Sequence, residues 1–194
     1  MVHAVELPDF RIAERGSCSR LFLERGLSNF QDAALYVRAL PYRRTSVPRD
    51  CMSVLREGCG TCSGKHALLA SLAEEQAQPV DLLLGIFALG PQNSPRLAPI
   101  LSAYELEFIP ECHAYLRWKG RRLDFTGERF PLEPADAFLN EEQVAPAALA
   151  ACKDVFHKRF LEEWLARSGL AARFDLQTLW AVREECIAAL IGST

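Results

Sequence analysis

The amino-acid sequence predicts an α+β fold, with helices and strands drawn from different parts of the chain. Segments with a helical spacing of apolar residues come first, apolar and alternating segments typical of strands follow, and two more helical segments end the chain. This order lacks the regular alternation of strands and helices that builds a parallel α/β sheet. We therefore expect an α+β chain whose strands lie between helical segments in the sequence.

The length and composition favour a single globular domain. The chain has 194 residues, of which 49% are hydrophobic and 24% charged. A chain of this length can bury a sizeable core unaided. Its sequence contains no internal repeat, low-complexity tract or Gly/Ser linker. We predict one domain over residues 1–194, with a core over about 28–130 and a C-terminal helical extension over about 150–192.

Charge and hydropathy argue against two classes of partner. A formal net charge of -3, with basic runs no longer than a pair of arginines, gives no footprint for a nucleic acid. The first residues lack the pattern of a secretory signal, and no apolar run approaches the roughly 18 residues of a membrane span. We predict a cytoplasmic protein that binds neither nucleic acid nor membrane. Its seven cysteines, an odd number, are expected to be mostly buried thiols.

Two helices are predicted in the first half of the chain. In SNFQDAALYVRAL, Ser28 and Asn29 are candidate N-caps, apolar residues follow along one face, and Pro41 cannot continue the helix. A second helix runs from Cys62 to about residue 78, where apolar residues recur at helical spacing and Pro79 closes the segment.

The strands are predicted in the middle of the chain. VDLLLGIFAL is a short apolar strand buried on both faces. ECHAYLRW and RRLDFTG are two strands joined by a tight turn at Lys119-Gly120. Two amphipathic helices are then expected near residues 152–167 and 175–191.

The pair in Cys59-Gly-Thr-Cys62 allows three interpretations. A redox CxxC motif usually follows a strand of a thioredoxin-like unit, but the preceding SVPRDCMSVLRE is polar and shows no clear strand. A zinc site would combine the pair with Cys112 and His113, although adjacent residues of a strand point to opposite faces. In the third interpretation Cys62 is a nucleophile, which needs a nearby base and a group that orients this base.

His113 and Asp124 are the candidates for the base and the orienting group. If the hairpin turns at Lys119-Gly120, directly opposed residues have numbers that sum to 239. His113 and Asp124 then lie diagonally on one face, roughly 7–8 Å apart between Cα atoms. A slip of one residue would put them on opposite faces, so the interpretation depends on the position of the turn.

The start of a helix is a favourable place for a thiolate. The helix dipole and the first backbone N–H groups both favour the charged form of Cys62, and the same N–H groups can hold an oxyanion. Tyr42, in a loop upstream, is a further candidate for the oxyanion site or the cleft wall. His66, one helical turn beyond Cys62, could lie near the site, but we expect it on the helix surface or in packing, and we expect His157 to face solvent.

Three consecutive parts of the chain together resemble the core of the transglutaminase-like superfamily. They are GTCSGKHALLASLAEE, the apolar strand after it, and ECHAYLRWKGRRLDFTG. In that family a Cys at a helix start is followed by a His on one strand and an Asp on the next. The similarity extends over about residues 58–127. It implies that Cys62 is the nucleophile, His113 the general base and acid, and Asp124 the orienting carboxylate.

The resemblance also implies a papain-like α+β core, in which the helix with the Cys packs on an antiparallel sheet. Further helices are expected at both ends of the chain. Thr126 matches the D-x-T ending that is common in the family. Tyr115 stands where Trp is common, and the hairpin between the His and the Asp is shorter than in many members.

The implied reaction is attack of a thiolate on an amide, so that the protein is a hydrolase or acyltransferase with a peptide, protein or small amide as substrate. No cofactor or metal is expected, since no acidic loop suggests the calcium sites of the animal enzymes. The alternative is a catalytically silent binding or scaffold module of the same fold.

Overall fold

The computed structural model describes residues 6–128 and 138–191, and within them the chain is α+β, as predicted. The described helices are α1 (Ser17–Leu23), α2 (Phe30–Ala39), α3 (Ser53–Glu57), α4 (Cys62–Glu75), α5 (Ala98–Ala103), α6 (Leu149–Ser168) and α7 (Leu176–Ile191). The described strands are β1 (Asp81–Leu89), β2 (Ile109–Trp118), β3 (Arg121–Leu123) and β4 (Asn140–Val144). They form an antiparallel sheet in the order β3-β2-β1-β4.

Both helices predicted in the first half of the chain are present. The Asn29 side chain caps α2 by accepting the Asp32 N–H at 2.8 Å, one of the two caps that the sequence offered. Helix α4 begins at Cys62, as predicted, and ends at Glu75. The end comes slightly early because Ala77 adopts a left-handed conformation with φ of 54°, which stops the helix before Pro79.

Helix α1 was not predicted from the sequence, and its start depends on a distant side chain. The Glu75 carboxylate, on α4, accepts the N–H groups of Cys18 and Ser19 at 2.9 and 2.7 Å. These donors have no acceptor inside α1 because they lie in its first turn. Gly16 precedes the helix, and a Cβ there would come within 2.2 Å of the same carboxylate. A seven-residue helix is thus fixed by a contact that no local pattern contains.

The hairpin turns where the sequence placed it. Leu116 pairs with Leu123, and Trp118 with Arg121, so opposed residues have numbers that sum to 239, as predicted. The two turn residues, Lys119 and Gly120, have φ of 49° and 76°. Two consecutive positive φ values are typical of the two-residue turn that fits the twist of a hairpin. The register on which the sequence argument depended is therefore confirmed for these strands.

Strand β3 is shorter than predicted, since RRLDFTG was expected to be extended throughout and β3 ends at Leu123. In the confirmed register Phe125 would lie opposite Ala114, and its N–H would donate to the Ala114 carbonyl. Instead it donates to His66 Nε2 at 2.7 Å. The ladder ends because the next backbone donor is bonded to a side chain of α4.

The described residues form two compact units. The first contains residues 6–84, 114–128 and 142–150, and the second contains residues 85–113, 138–141 and 151–191. The single domain and its bounds stay a prediction.

In the first unit, α4 is the central helix and contacts α1, α2 and α3. Its core is built from fully buried aromatic and aliphatic side chains of these helices and of the strands, among them Phe22, Phe30, Leu68, Leu72 and Leu83. Burial of this apolar surface stabilises the unit.

The second unit has a separate apolar core. It is formed by α5, α6, α7 and the segments around them, through Leu89, Leu97, Leu101, Leu106, Ile109, Leu161, Leu165, Leu179, Val182 and Cys186. Both helices predicted for the tail are present, as α6 and α7. None of the helices in the described ranges is long and apolar enough to cross a membrane.

Candidate functional site

Cys62 is the first residue of α4, in the first unit, and only 6% of it is exposed. The small residues around it have a packing reason. A Cβ at Gly60 would lie 3.0 Å from the Val54 side chain of α3, and one at Gly64 would lie 2.9 Å from the same side chain. The glycines therefore let α3 pack closely against the first turn of α4.

Asp124 directly follows β3 and is buried in the first unit. Its Oδ1 accepts the Thr126 N–H at 2.7 Å, which folds residues 124–126 back on the carboxylate. Thr126 is also buried, and its Oγ1 has no hydrogen-bond partner among the described residues. We call residues 124–126 the post-β3 segment.

His66, one helical turn beyond Cys62, joins α4 to the post-β3 segment. It is fully buried. Its Nδ1 lies 2.8 Å from the Cys62 carbonyl oxygen, and its Nε2 lies 2.7 Å from the Phe125 nitrogen. A backbone N–H can only donate, so Nε2 is the acceptor and Nδ1 carries the proton. The structure thus gives His66 a packing role, one of its two predicted places.

The contact between His66 and Asp124 is not an ion pair in this arrangement. Nε2 and Oδ1 are 3.5 Å apart. Each of these atoms accepts a backbone N–H, and two acceptors do not bond to each other. A neutral imidazole is therefore the form that fits the observed contacts.

Lys65 is a second link from α4 to the post-β3 segment. Its ammonium is fully buried and donates to the carbonyl oxygens of Thr126, at 2.7 Å, and of Arg38 and Leu40 at the end of α2. Burial lowers the pKa of Lys65 to about 8, although the nearby charge of Asp124 opposes this shift. The sequence analysis missed Lys65, and the signal that could have found it is a polar pair, Lys65-His66, inside an apolar helix.

Tyr42 lies beside the segment that leads into α4. The Gly60 N–H donates to the Pro41 carbonyl at 3.1 Å, and the Arg43 N–H donates to the Gly60 carbonyl at 3.4 Å. Tyr42 stands between these two bonds and is half-buried. Its part in an oxyanion site or a cleft wall stays a prediction.

The two cysteines of the CxxC pair have different surroundings. The Arg43 Nε donates to the Cys59 sulfur at 3.4 Å, while the Cys62 sulfur lies 3.9 Å from the hydroxyl of Ser63. Each of the seven cysteines, all of which lie in the described ranges, carries a thiol and not a disulfide. In those ranges no group of three or more His, Cys, Asp and Glu side chains could hold a metal ion.

His113 lies on β2, in the second unit, and is half-buried. Its ring meets the edge of Phe87, with 6.2 Å between ring centroids, and Phe87 in turn meets Phe138 at 6.5 Å. A Cβ at Gly85 would come within 2.4 Å of the Phe138 ring. Within its own unit the imidazole therefore packs against Phe87, which packs in turn on Phe138.

The prediction for His157 is wrong, because this residue is buried in the second unit and does not face solvent. Its Nε2 bonds to the Pro110 carbonyl at 2.8 Å, and its ring packs on Trp180. Burial lowers the pKa of His157. The residues around His157 on α6 could not predict this hydrogen bond, because the Pro110 carbonyl belongs to β2.

Comparison with protein-family models, curated proteins and solved structures finds no match for the chain. The resemblance to the transglutaminase-like superfamily therefore rests on the residues quoted above.

Proposed function

We propose that the protein is a thiol-dependent hydrolase or acyltransferase of the transglutaminase-like type, acting on an amide bond. In this proposal Cys62 is the nucleophile, His113 the general base and acid, and Asp124 the residue that orients His113. The substrate is a peptide, a protein or a small amide. No cofactor takes part.

The observation that carries the proposal is the register of β2 and β3. Pairing of Leu116 with Leu123 is the register in which the sequence argument put His113 and Asp124 on one side of the ribbon, and the ladder ends at Leu123, one residue before Asp124. A register slipped by one residue would have excluded this arrangement. The start of α4 at Cys62 supports the proposal as well, because the first N–H groups of a helix favour thiolate.

In the proposed reaction His113 transfers one proton in each half-reaction. The Cys62 thiolate attacks the amide carbon, the C–N bond breaks, and His113 gives its proton to the leaving amine. A thioester to Cys62 remains. Water or a second amine then attacks the thioester while His113 takes up a proton, and the C–S bond breaks to return the thiolate. Hydrolysis and transfer differ only in this second nucleophile.

One observation favours the alternative of a silent binding module. Cys62 and Asp124 are buried, with only 6% and 3% of each residue exposed, and a nucleophile needs access to its substrate. The two functions differ in the state of the Cys62 sulfur. An enzyme of this type keeps a reactive thiolate at mildly acidic pH, whereas a thiol that only packs does not.

Alkylation of the whole protein with iodoacetamide at about pH 6 tests the proposal, with the rate at each cysteine read from its peptide by mass spectrometry. Half-buried Cys152 is the internal reference. We expect Cys62 to react at least tenfold faster than in urea-denatured protein, and His113→Ala to remove this difference. A Cys62 that reacts no faster in the native than in the denatured protein would favour the silent module.

A further inference from the structure

We infer that His66 is a positioning residue, which fixes Asp124 relative to the start of α4 through the backbone of Phe125. The inference rests on the proposed function, because it assigns Asp124 the orienting role. In this scheme His66 transfers no proton to or from the substrate. It acts through two backbone groups, the carbonyl of Cys62 and the N–H of Phe125.

The two bonds join neighbours of the two groups that must be held. Nδ1 bonds at 2.8 Å to the carbonyl of the proposed nucleophile, and Nε2 bonds at 2.7 Å to the N–H that follows Asp124. The imidazole is rigid and fully buried, so its two nitrogens set the spacing between these backbone groups. A shift of either group would break a buried hydrogen bond, which is costly.

Hydrogen bonds fix the position of the Asp124 carboxylate relative to the backbone of the post-β3 segment. Asp124 Oδ1 accepts the Thr126 N–H at 2.7 Å, and the Thr126 carbonyl accepts from the Lys65 ammonium at the same distance. Two adjacent residues of α4 therefore bond to both ends of the Phe125–Thr126 backbone. Lys65 also bonds to the end of α2. His66 bonds to the carbonyl of Cys62, the proposed nucleophile.

The neutral Nδ1–H form of His66 is part of this role. A proton on Nε2 would remove the acceptor of the Phe125 N–H and give a donor facing Asp124 Oδ1, 3.5 Å away. The carboxylate would then be drawn to His66. The positioning role requires that Nε2 keep its lone pair.

Two amide variants separate the two bonds. In His66→Asn the side-chain amide takes the place of Nδ1 and can donate to the Cys62 carbonyl, but it does not reach Phe125. In His66→Gln the longer amide places its oxygen near the Nε2 position and can accept the Phe125 N–H. His157→Asn is the matched control, because His157 is also buried and also bonds to a backbone carbonyl.

The experiment is the pH profile of iodoacetamide labelling of Cys62 in full-length protein. We expect His66→Asn to move the profile upward by about one pH unit and to slow labelling near pH 6 about tenfold. His66→Gln should stay within about twofold of the wild type, and His157→Asn should leave the profile unchanged. Equal loss in the Asn and Gln variants, or no loss in either, overturns the inference.

Wild-type protein supplies a measurement that does not depend on the variants folding. Nitrogen NMR of the imidazole should show His66 protonated at Nδ1 alone, and hydrogen exchange should show a protected Phe125 amide. Protonation at Nε2 would overturn the inference. Failure of the proposed function has a different signature, since Cys62 of the wild type would then label slowly at every mildly acidic pH, and the positioning role would fall with it.

Discussion

At the scale of single residues, the burial of Lys65 and His66 shows how α4 accommodates polar groups in an apolar setting. Both side chains are fully buried, and burial of an unbonded polar group is costly. The cost is offset because Lys65 donates to three carbonyl oxygens and both nitrogens of His66 have backbone partners. Helix α4 therefore presents two fixed hydrogen-bonding side chains to the post-β3 segment.

Asp124→Asn tests the orienting role with little disturbance of structure. An Asn oxygen can still accept the Thr126 N–H, so the post-β3 segment should keep its conformation. The neutral amide cannot stabilise a charged imidazole, and it can favour the wrong tautomer of His113. We expect turnover of an amide substrate to fall roughly a thousandfold or more, with the melting temperature nearly unchanged.

The measurement is kcat/KM beside a thermal melt, with Asp81→Asn as the control, because Asp81 pairs with Arg117 near the surface and has no proposed role. Wild-type rates in Asp124→Asn would contradict the triad. A large fall in melting temperature would instead mean that the carboxylate charge holds the post-β3 segment.

The candidate residues were predictable to different degrees. Cys62, His113 and Asp124 could be proposed from the sequence because residue type, order and turn position are local information. Lys65 and His66 could not be assigned their partners in the post-β3 segment, because these are backbone groups about sixty positions away in the chain. Because every residue has the same backbone groups, the partner of such a side chain cannot be recognised by its residue type.

At the scale of elements, α1 depends on α4 for its start. We predict that Glu75→Ala destabilises the protein by about 2 kcal/mol or more, because it leaves the N–H groups of Cys18 and Ser19 without the carboxylate that accepts them. Glu74→Ala is the matched control, since Glu74 is the exposed neighbour on the same helix, and it should change stability by less than about 0.5 kcal/mol.

Urea denaturation of both variants gives the free energies of unfolding, and hydrogen exchange locates the loss. The amides of α1 should exchange faster in Glu75→Ala than those of α2. Similar free energies for the two variants would mean that the carboxylate contributes no more than a surface charge.

The same dependence on distant contacts explains which elements the sequence could predict. The helices α2, α4, α6 and α7, and the strands β1 and β2, follow burial patterns within their own segments. Helix α1 and the end of β3 are decided elsewhere, by Glu75 and by His66. The residues within α1 and β3 cannot predict a contact with either side chain.

At the scale of the whole molecule, buried titratable groups make the free energy of unfolding depend on pH in both the acidic and the alkaline range. In the second unit, burial would raise the pKa of Glu111, but two hydrogen bonds of 2.7 Å from Arg183 and its charge lower the pKa overall. This stabilisation is present above the ordinary value of 4.5 and is lost as the pH falls through the lowered pKa. Burial also lowers the pKa of His157, so the unfolded chain takes up a proton at this residue first. The free energy of unfolding therefore falls as the pH drops below 6.5.

In the alkaline range the first unit has contributions of both signs. Burial raises the pKa of Cys18 and of Cys51, so the unfolded chain loses these protons first and stability falls as the pH rises. Lys65 has the opposite effect. Its folded pKa is about 8 against an ordinary 10.5, so between these values the unfolded state holds a proton that the folded state has lost. Stability from this group therefore rises with pH in that window.

Lys65→Met isolates that contribution, because the buried thiols are common to both proteins and cancel in the difference. Urea denaturation at half-unit steps from pH 7 to 10.5 gives the two free energies of unfolding. Their difference, wild type minus variant, should be flat below pH 8 and should then increase by at most about 1.4 kcal/mol per pH unit. The control is Lys158→Met, which removes a lysine from an exposed position of α6. A flat difference for Lys65→Met would mean that its ammonium stays charged in the folded protein, held by the three carbonyls and by Asp124 against the effect of burial.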